Sequence, residues 1–340
     1  MQKKKANLCL IGPGNFGSLL YSKADKSKLC SISYVYHPDI EKARRLDAAK
    51  GISDLRIALQ DKNVDGVIIA TPNDQHYKQI MQCLEAGKHV FVEKPVTAEY
   101  LDAVILSSYL ENNTNLTLMV GHNHRRKAFV RKTKGFLDKK ELGDLVSVDM
   151  NVSHGGIFGF VEGDWRTSKE KHPEGPLMTV GIHLIDTLHY LFGPVKSAYA
   201  MIKNVSKKAH APDCNSVLLE MENGTMVHLQ ANYNMPSEER YIFNGTEGIV
   251  YVDRDRMSLR KGRDSRINGN FEHSKPNKIK LVDVDTYKEE LDEFCNAILK
   301  GSKIETGIKQ GLDALTVIDA CRQSDAAKKA IFMNQYRAYF

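Results

Sequence analysis

In the largely apolar run GPLMTVGIHLIDTLHY (175–190), four of the polar side chains form a stripe: Thr179, His183, Asp186 and Tyr190. Their spacing, i, i+4, i+7 and i+11, puts them on one face at helical pitch. An imidazole in the middle of such a stripe suits proton transfer, because histidine titrates closest to neutral pH. Lys94 is a second candidate. It sits between Glu93 and Pro95 at the end of the apolar run HVFVEKP. An ammonium there could stabilise a developing alkoxide; the plainer alternative is a surface ion pair ahead of a helix. The third element is CLIGPGNFGSLL (9–20), in which Gly12, Gly14 and Gly17 form G-x-G-x-x-G around Asn15 and Phe16. A glycine turn between a strand and a helix lets backbone approach a pyrophosphate at the helix N-terminus.

An acid that would bind the adenosine ribose is expected about 20 residues beyond the glycines, at the end of the second strand. His37 stands there instead, followed by Asp39, Lys42, Arg44 and Arg45. NAD and NADP both fit, with a lean to NADP because no carboxylate at that position repels a 2′-phosphate. Asp39 could swing in as a substitute acid. Thr71, Pro72 and Asn73 leave a later strand at its carboxyl end, with His76 just beyond, and are read with Glu93 and Lys94 as the rest of the cofactor crevice. Asn123 and Arg125 in GHNHRR, and Trp165 and Arg166 in GDWRTSKEKHPEG, are candidates to line a substrate site with Thr179. The histidines at 122, 124, 183 and 189 supply no closed, well-spaced ligand set, so no metal is expected.

Positioning these groups requires two kinds of architecture. Over the first 120 residues, short β-branched runs (8–11, 32–36, 64–70, 89–92, 116–120) alternate with amphipathic segments (38–50, 73–88, 97–113). That is the signature of a doubly wound parallel Rossmann sheet in an α/β protein. Beyond about residue 125 one helix (128–143), a strand (145–153), a Gly-rich loop and the striped helix lead into alternating segments at 196–205, 216–221, 226–233 and 249–252. These imply an α+β domain with an open, mostly antiparallel sheet. Two helices, 286–299 and 307–330, close the chain. The expected division is a dinucleotide-binding domain over 1–123 and a substrate-binding and oligomerisation domain over 124–340, whose closing helices could pack back on the first.

Composition narrows the function. Of the 340 residues 42% are hydrophobic and 26% charged, the profile of a soluble globular protein. A formal net charge of +6 is too dilute for nucleic-acid binding without a clustered patch. The one basic concentration, 254–280, is rich in Gly, Asn and Ser and reads as a solvated loop or hairpin, with steering of an anionic substrate second. Six dispersed cysteines without Cys-x-x-Cys fit reduced thiols in a cytoplasm. No run is long enough to span a membrane, and the basic start lacks the long apolar region of a signal peptide.

Taken together, G-x-G-x-x-G, the ATPN…H…AGKHVFVEKP block and G-x-H-x-x-D resemble the Gfo/Idh/MocA family of glucose–fructose oxidoreductases, inositol dehydrogenases and sugar-nucleotide dehydrogenases. The resemblance implies hydride exchange between a nicotinamide and a carbinol carbon of a sugar, sugar nucleotide or cyclic polyol. It also implies a homodimer or homotetramer built on the second domain's sheet. The family's lysine matches Lys94 and its helix histidine matches His183, so His183 would be the base in oxidation. In many members an acid stands four residues before that histidine; here Thr179 takes its place. Asp186 could orient the ring instead, or fix the helix against a neighbouring backbone. The competing readings are a dinucleotide-binding sensor without turnover and a reductase of a non-sugar substrate.

Overall fold

The computed structural model describes residues 5–113, 115–161, 163–262, 265–267, 270–272 and 274–339. They fall into two compact units, Met1–Asn123 with Asp285–Leu315, and His124–Val284 with Thr316–Phe340.

In the first unit β1 (Ala6–Ile11), β2 (Cys30–Tyr36), β3 (Gly51–Ile52), β4 (Gly66–Ile69), β5 (His89–Glu93) and β6 (Leu118–Gly121) alternate with α1 (Asn15–Asp25), α2 (Ile40–Leu46), α3 (Leu55–Gln60), α4 (His76–Glu85) and α5 (Tyr100–Glu111). Among the described residues they form one parallel sheet of order β3-β2-β1-β4-β5-β6. β4 and β6 are buried along their whole length, as strands covered on both faces must be. The order reverses between β1 and β4, so the turns after those strands flank a crevice at the carboxyl edge.

Two devices fix the first turn. Gly12 has φ +89°, and a Cβ on Gly17 would meet the Gly12 carbonyl oxygen. α1 and that carbonyl therefore touch through backbone alone. α2 is shorter than the pattern over 38–50 suggests and ends at Leu46, where the Asp47 carboxylate takes the Tyr21 hydroxyl and the Lys50 ammonium.

The second unit starts with α6 (Ala128–Asp138) and α7 (Ile182–Phe192), around β7 (Leu145–Ser153). Then follow β8 (Val195–Lys203), β9 (Cys214–Met221), β10 (Met226–Asn232), β11 (Glu238–Gly245), β12 (Gly248–Asp253), β13 (Arg256–Lys261), β14 (Ser265–Ile267), β15 (Asn270–Glu272) and β16 (Asn277–Ile279). The chain closes with α8 (Thr286–Lys300), α9 (Ile308–Ala327) and β17 (Ile331–Phe332). α8 belongs to the first unit, where Phe294 packs against Phe91 at 5.9 Å, and α9 is divided between the two at residue 315.

The large sheet runs β16-β13-β12-β11-β7-β10-β9-β8-β17; β10 pairs with β7 in parallel, and the other pairs are antiparallel. Register makes its inner face one continuous apolar row, Ala198–Leu219–Val227–Val148–Phe243–Val250–Leu259, every member buried. ENGT (222–225) is the hairpin between β9 and β10, with Gly224 at φ +86°. The basic stretch 254–280 is β13 to β16 and their turns, with 263–264, 268–269 and 273 outside the described residues.

Candidate functional site

In the first unit the expected residues gather on the turns that follow β1, β2, β4 and β5. A Cβ on Gly14 would meet nothing within 4 Å, so the fold itself does not demand glycine there. Glycine there leaves the turn open to a close backbone approach by a pyrophosphate. Gly14 is also the N-cap of α1, without a side-chain cap and with no acid in the first turn, which leaves N–H groups for an anion. Beside it a cavity of about 460 Å³ is lined by Pro13, Gly14, Ser18, His37, Lys42, Arg45 and Leu46. Three of those seven side chains are basic and none is acidic. Asp39 does not swing in: its carboxylate caps α2 by accepting from the Glu41 amide, and its own N–H donates to His37 Nδ1 at 2.9 Å. These residues fit a dinucleotide. Asn15 opens α1, and Phe16, 44% exposed, lies edge-on to Tyr287 at 6.1 Å.

The β4 and β5 turns are tied together by His76. Its imidazole is fully buried, with Nδ1 against the Pro95 carbonyl at 2.7 Å and Nε2 against the Thr71 carbonyl at 3.0 Å. Burial pushes it below its usual range, aided by the Lys94 charge. His76 was expected to bind cofactor; enclosed in this way, it positions the Thr71 and Lys94 turns instead. Thr71 Oγ1 also donates to Gln79 Oε1 at 2.7 Å, Pro72 is exposed, and Asn73 starts the 3₁₀ turn ahead of α4.

Glu93 is 7% exposed and accepts from the Lys94 amide at 3.3 Å. Burial pushes its carboxyl up to about 7 against the pull of the Lys94 charge. Gly121, its strand partner, leaves the room it needs: a Cβ there would lie 3.3 Å from Glu93 Oε1. Asn123 donates to Thr286 Oγ1 at 3.1 Å, at the start of α8.

In the second unit the polar stripe of the sequence is resolved member by member. Residues Leu177–Gly181 form a π turn, with the Ile182 amide bonded to the Leu177 carbonyl five residues back, and α7 follows. Thr179 is therefore carried on a widened turn rather than on the α-helix itself, and its hydroxyl pairs with the Tyr233 hydroxyl. His183 stacks on His124, ring centroids 4.1 Å apart and planes 16° apart. Asp186 takes the Arg125 guanidinium through both oxygens, at 2.9 and 2.5 Å, with both residues buried. Tyr190 accepts from Arg131 and lies under both guanidinium groups.

Two expectations change here. Arg125 was a substrate candidate; engaged by Asp186 in the interior, its charge anchors α7 against the turn before α6. Asp186 was offered a backbone partner or the His183 ring, and a guanidinium takes both of its oxygens. Trp165 and Arg166 do join Thr179's surroundings. Arg166 lies over the Trp165 and Phe160 rings at 4.7 and 5.7 Å, Trp165 is edge-on to His172 at 5.1 Å, and Phe160 and His172 face Tyr233 at 5.4 and 6.4 Å. Tyr233, 4% exposed, is the residue that sequence reasoning passed over. Its only signal is its place, one residue past the last alternating position of β10. Among the described residues no group of three or more His, Cys, Asp or Glu side chains is placed to hold a metal ion.

A parallel sheet of this order with a glycine turn at its switch point, joined to an α+β unit carrying an imidazole, defines a dinucleotide-dependent oxidoreductase architecture. Residues 6–122 match the family model "Oxidoreductase family, NAD-binding Rossmann fold", and 130–251 match "GFO/IDH/MocA C-terminal domain". The chain belongs to this GFO/IDH/MocA oxidoreductase family. It is 24% identical to scyllo-inositol 2-dehydrogenase (NADP(+)) of Bacillus subtilis, over 95% of both chains. It is 23% identical to levoglucosan dehydrogenase of Pseudarthrobacter phenanthrenivorans, over 88% of this chain and 87% of that one. Among solved structures, a Desulfitobacterium hafniense oxidoreductase has TM-score 0.90 at 25% identity, covering 98% and 99% of the two chains. No helix among the described residues is long and apolar enough to cross a membrane.

Proposed function

We propose that this chain is an NADP(H)-preferring dehydrogenase or reductase that interconverts a secondary alcohol and a ketone on a sugar or cyclic polyol. The observation that carries the reading is the carboxyl edge of the first sheet. There the glycine turn follows β1 at the switch point, a basic cavity lies beside it, and the Lys94 turn follows β5, the neighbour of β4. When bound, the nicotinamide supplies the hydride acceptor or donor. Lys94 hydrogen-bonds the substrate oxygen as an ammonium and stabilises its developing charge. His183 takes the hydroxyl proton in oxidation and returns it in reduction. Stacking on His124 holds the His183 ring plane while that proton comes and goes. Gly12, Gly14, Asn15, Phe16, Gly17, His37, Thr71, Pro72, Asn73, Glu93 and Lys94 form the cofactor side, and Thr179, Trp165 and Arg166 the substrate side.

Two relatives act, by their names, on scyllo-inositol and levoglucosan, which supports a polyol or sugar substrate. Six free cysteines suit a reducing, cytoplasmic compartment. A cluster of exposed apolar side chains on the outer face of the large sheet, Met201, Leu218, Met226 and Phe332, supports a homo-oligomer. Loss of the acid at Thr179 favours one second reading, a sensor that binds the dinucleotide without turnover.

The test is Lys94→Ala and His183→Ala, assayed at 340 nm on a panel of sugars and cyclitols alongside a nucleotide-binding titration. Each variant should keep nucleotide binding and lose at least about 100-fold in turnover. Unchanged turnover in both would sink the assignment, and a wild-type chain that binds nucleotide but reduces none across the panel favours the sensor.

A further inference from the structure

The surroundings of Thr179 bear on the chemical class of substrate. Tyr233 is walled by the His154 ring at 4.8 Å, Phe160 at 5.4 Å edge-on and His172 at 6.4 Å, and Trp165 extends the wall from His172. Aromatic and imidazole faces suit the C–H face of a six-membered ring, while the Thr179–Tyr233 hydroxyl pair and His183 offer neutral hydrogen bonding at its edge.

Four cations of this unit are already matched by carboxylates, Arg166 of the wall among them. Arg166 Nη1 meets both Asp164 oxygens at 3.2 Å. Arg125 is held by Asp186, Lys127 meets Glu239 at 2.6 Å, and Arg322 meets Asp319 at 2.5 Å with Glu174 at 3.8 Å. Lys169 and Lys171 are exposed on the turn before α7, where water and salt screen them. A phosphate carries up to two negative charges and is recognised by charge-assisted bonds from guanidinium or ammonium groups. Here it would have to displace a carboxylate that is already seated.

From the ring wall and the matched cations, we propose that the second unit binds an uncharged ring, a neutral pyranose or cyclitol, and rejects the phosphorylated or nucleotide-linked counterpart. The proposal rests on the oxidoreductase reading for what happens to the ring, not for which ring binds.

Trp165 is the only tryptophan of the chain, so its emission reports on this wall directly. The full chain, with and without NADP⁺, is titrated with matched pairs: myo-inositol and its 1-phosphate, glucose and its 6-phosphate, and UDP-glucose. Absorbance at 340 nm is followed in parallel. At least one neutral ring should perturb the emission with a Kd at least about 10-fold below that of its charged counterpart, the equivalent of one lost charge-assisted bond. A smaller ratio for every pair, tighter binding of a charged member, or no response to any neutral ring overturns the proposal. Asp164→Asn keeps a capping oxygen but releases Arg166, and should narrow the ratio at least about 5-fold; an unchanged ratio removes the charge-matching argument. Emission changes without any change at 340 nm leave this proposal standing and defeat the oxidoreductase reading. Turnover of charged members alone does the reverse.

Discussion

Glu93 is a carboxyl held neutral by its surroundings. Its folded value, about 7, lies above the ordinary 4.5 because burial penalises the anion more than the neighbouring Lys94 charge rewards it. Between those values the unfolded chain has released the proton and the folded chain still holds it. The contribution of Glu93 to stability is therefore fully present below about pH 4.5, declines as pH rises, and is lost above about pH 7, a span worth on the order of 3 kcal/mol. Glu93→Gln keeps the shape and the acceptor for the Lys94 amide but cannot titrate. Urea unfolding in pH steps from about 5 to about 8 should show the wild-type declining relative to this variant; parallel curves would mean the carboxyl ionises freely. At this scale the sequence told a great deal about which residue types matter and little about their partners. The stripe of Thr179, His183, Asp186 and Tyr190 is visible as a spacing. That Asp186 holds Arg125, and that Thr179 meets Tyr233, are contacts over 61 and 54 residues of chain that no local pattern encodes. His76 was visible as a polar residue at a crevice, but its two carbonyl partners, and hence its positioning role, follow from how two turns approach each other.

α2 carries the side chains on which the proposed NADP preference rests. Its N-cap, Asp39, is the acid the sequence offered to the ribose, and its carboxylate instead caps the helix. One turn later Lys42 and Arg45, three residues apart, both line the cavity with His37. On the proposed NADP preference, these two cations would take the 2′-phosphate. Lys42→Ala combined with Arg45→Ala should weaken NADPH binding by at least about 10-fold, since charge-assisted bonds to phosphate contribute roughly 1.5–3 kcal/mol each. NADH binding should change by less than about 3-fold. Nicotinamide fluorescence titration measures both, and an equal loss for the two cofactors would remove α2 from the discrimination. The elements themselves were largely legible, because a strand buried on both faces must read as an unbroken β-branched run. The π turn at Leu177–Gly181 was not, since one extra residue in a helix leaves the apolar pattern nearly intact. β11 was also missed; its opening, Glu238-Glu239-Arg240, reads as polar loop although Tyr241 and Phe243 bury beneath it.

At the scale of the whole molecule, the large sheet carries a cluster of exposed apolar side chains on the face opposite its buried row. Register puts Tyr199, Leu218, His228 and Asp149 in one row, with Met201 and Met226 in the flanking rows. Leu218, Met226, Met201 and Phe332 are 55%, 59%, 46% and 46% exposed, an unusual concentration of large apolar side chains on one surface. The inner face could be foreseen from alternation; the outer positions are mostly polar, as alternation predicts, and these apolar side chains form a local cluster among them that alternation does not foresee. A second copy of the sheet, applied about a two-fold axis, buries both sets at once, because an isologous contact needs only one self-complementary patch. A stable pairing of this kind buries about 800 Å² per partner or more, and a central charge that must be desolvated is among the costliest changes such a patch can take. Leu218→Lys places an ammonium in the middle of the row, on a side chain that makes no inner-face contact, so the protomer itself should keep its fold. Light scattering on the eluting protein at about 10 μM should then give half the wild-type mass or less, with an unchanged far-ultraviolet spectrum. A wild-type chain that elutes as a monomer, or a variant that retains the wild-type mass, would assign the apolar face to something other than self-association.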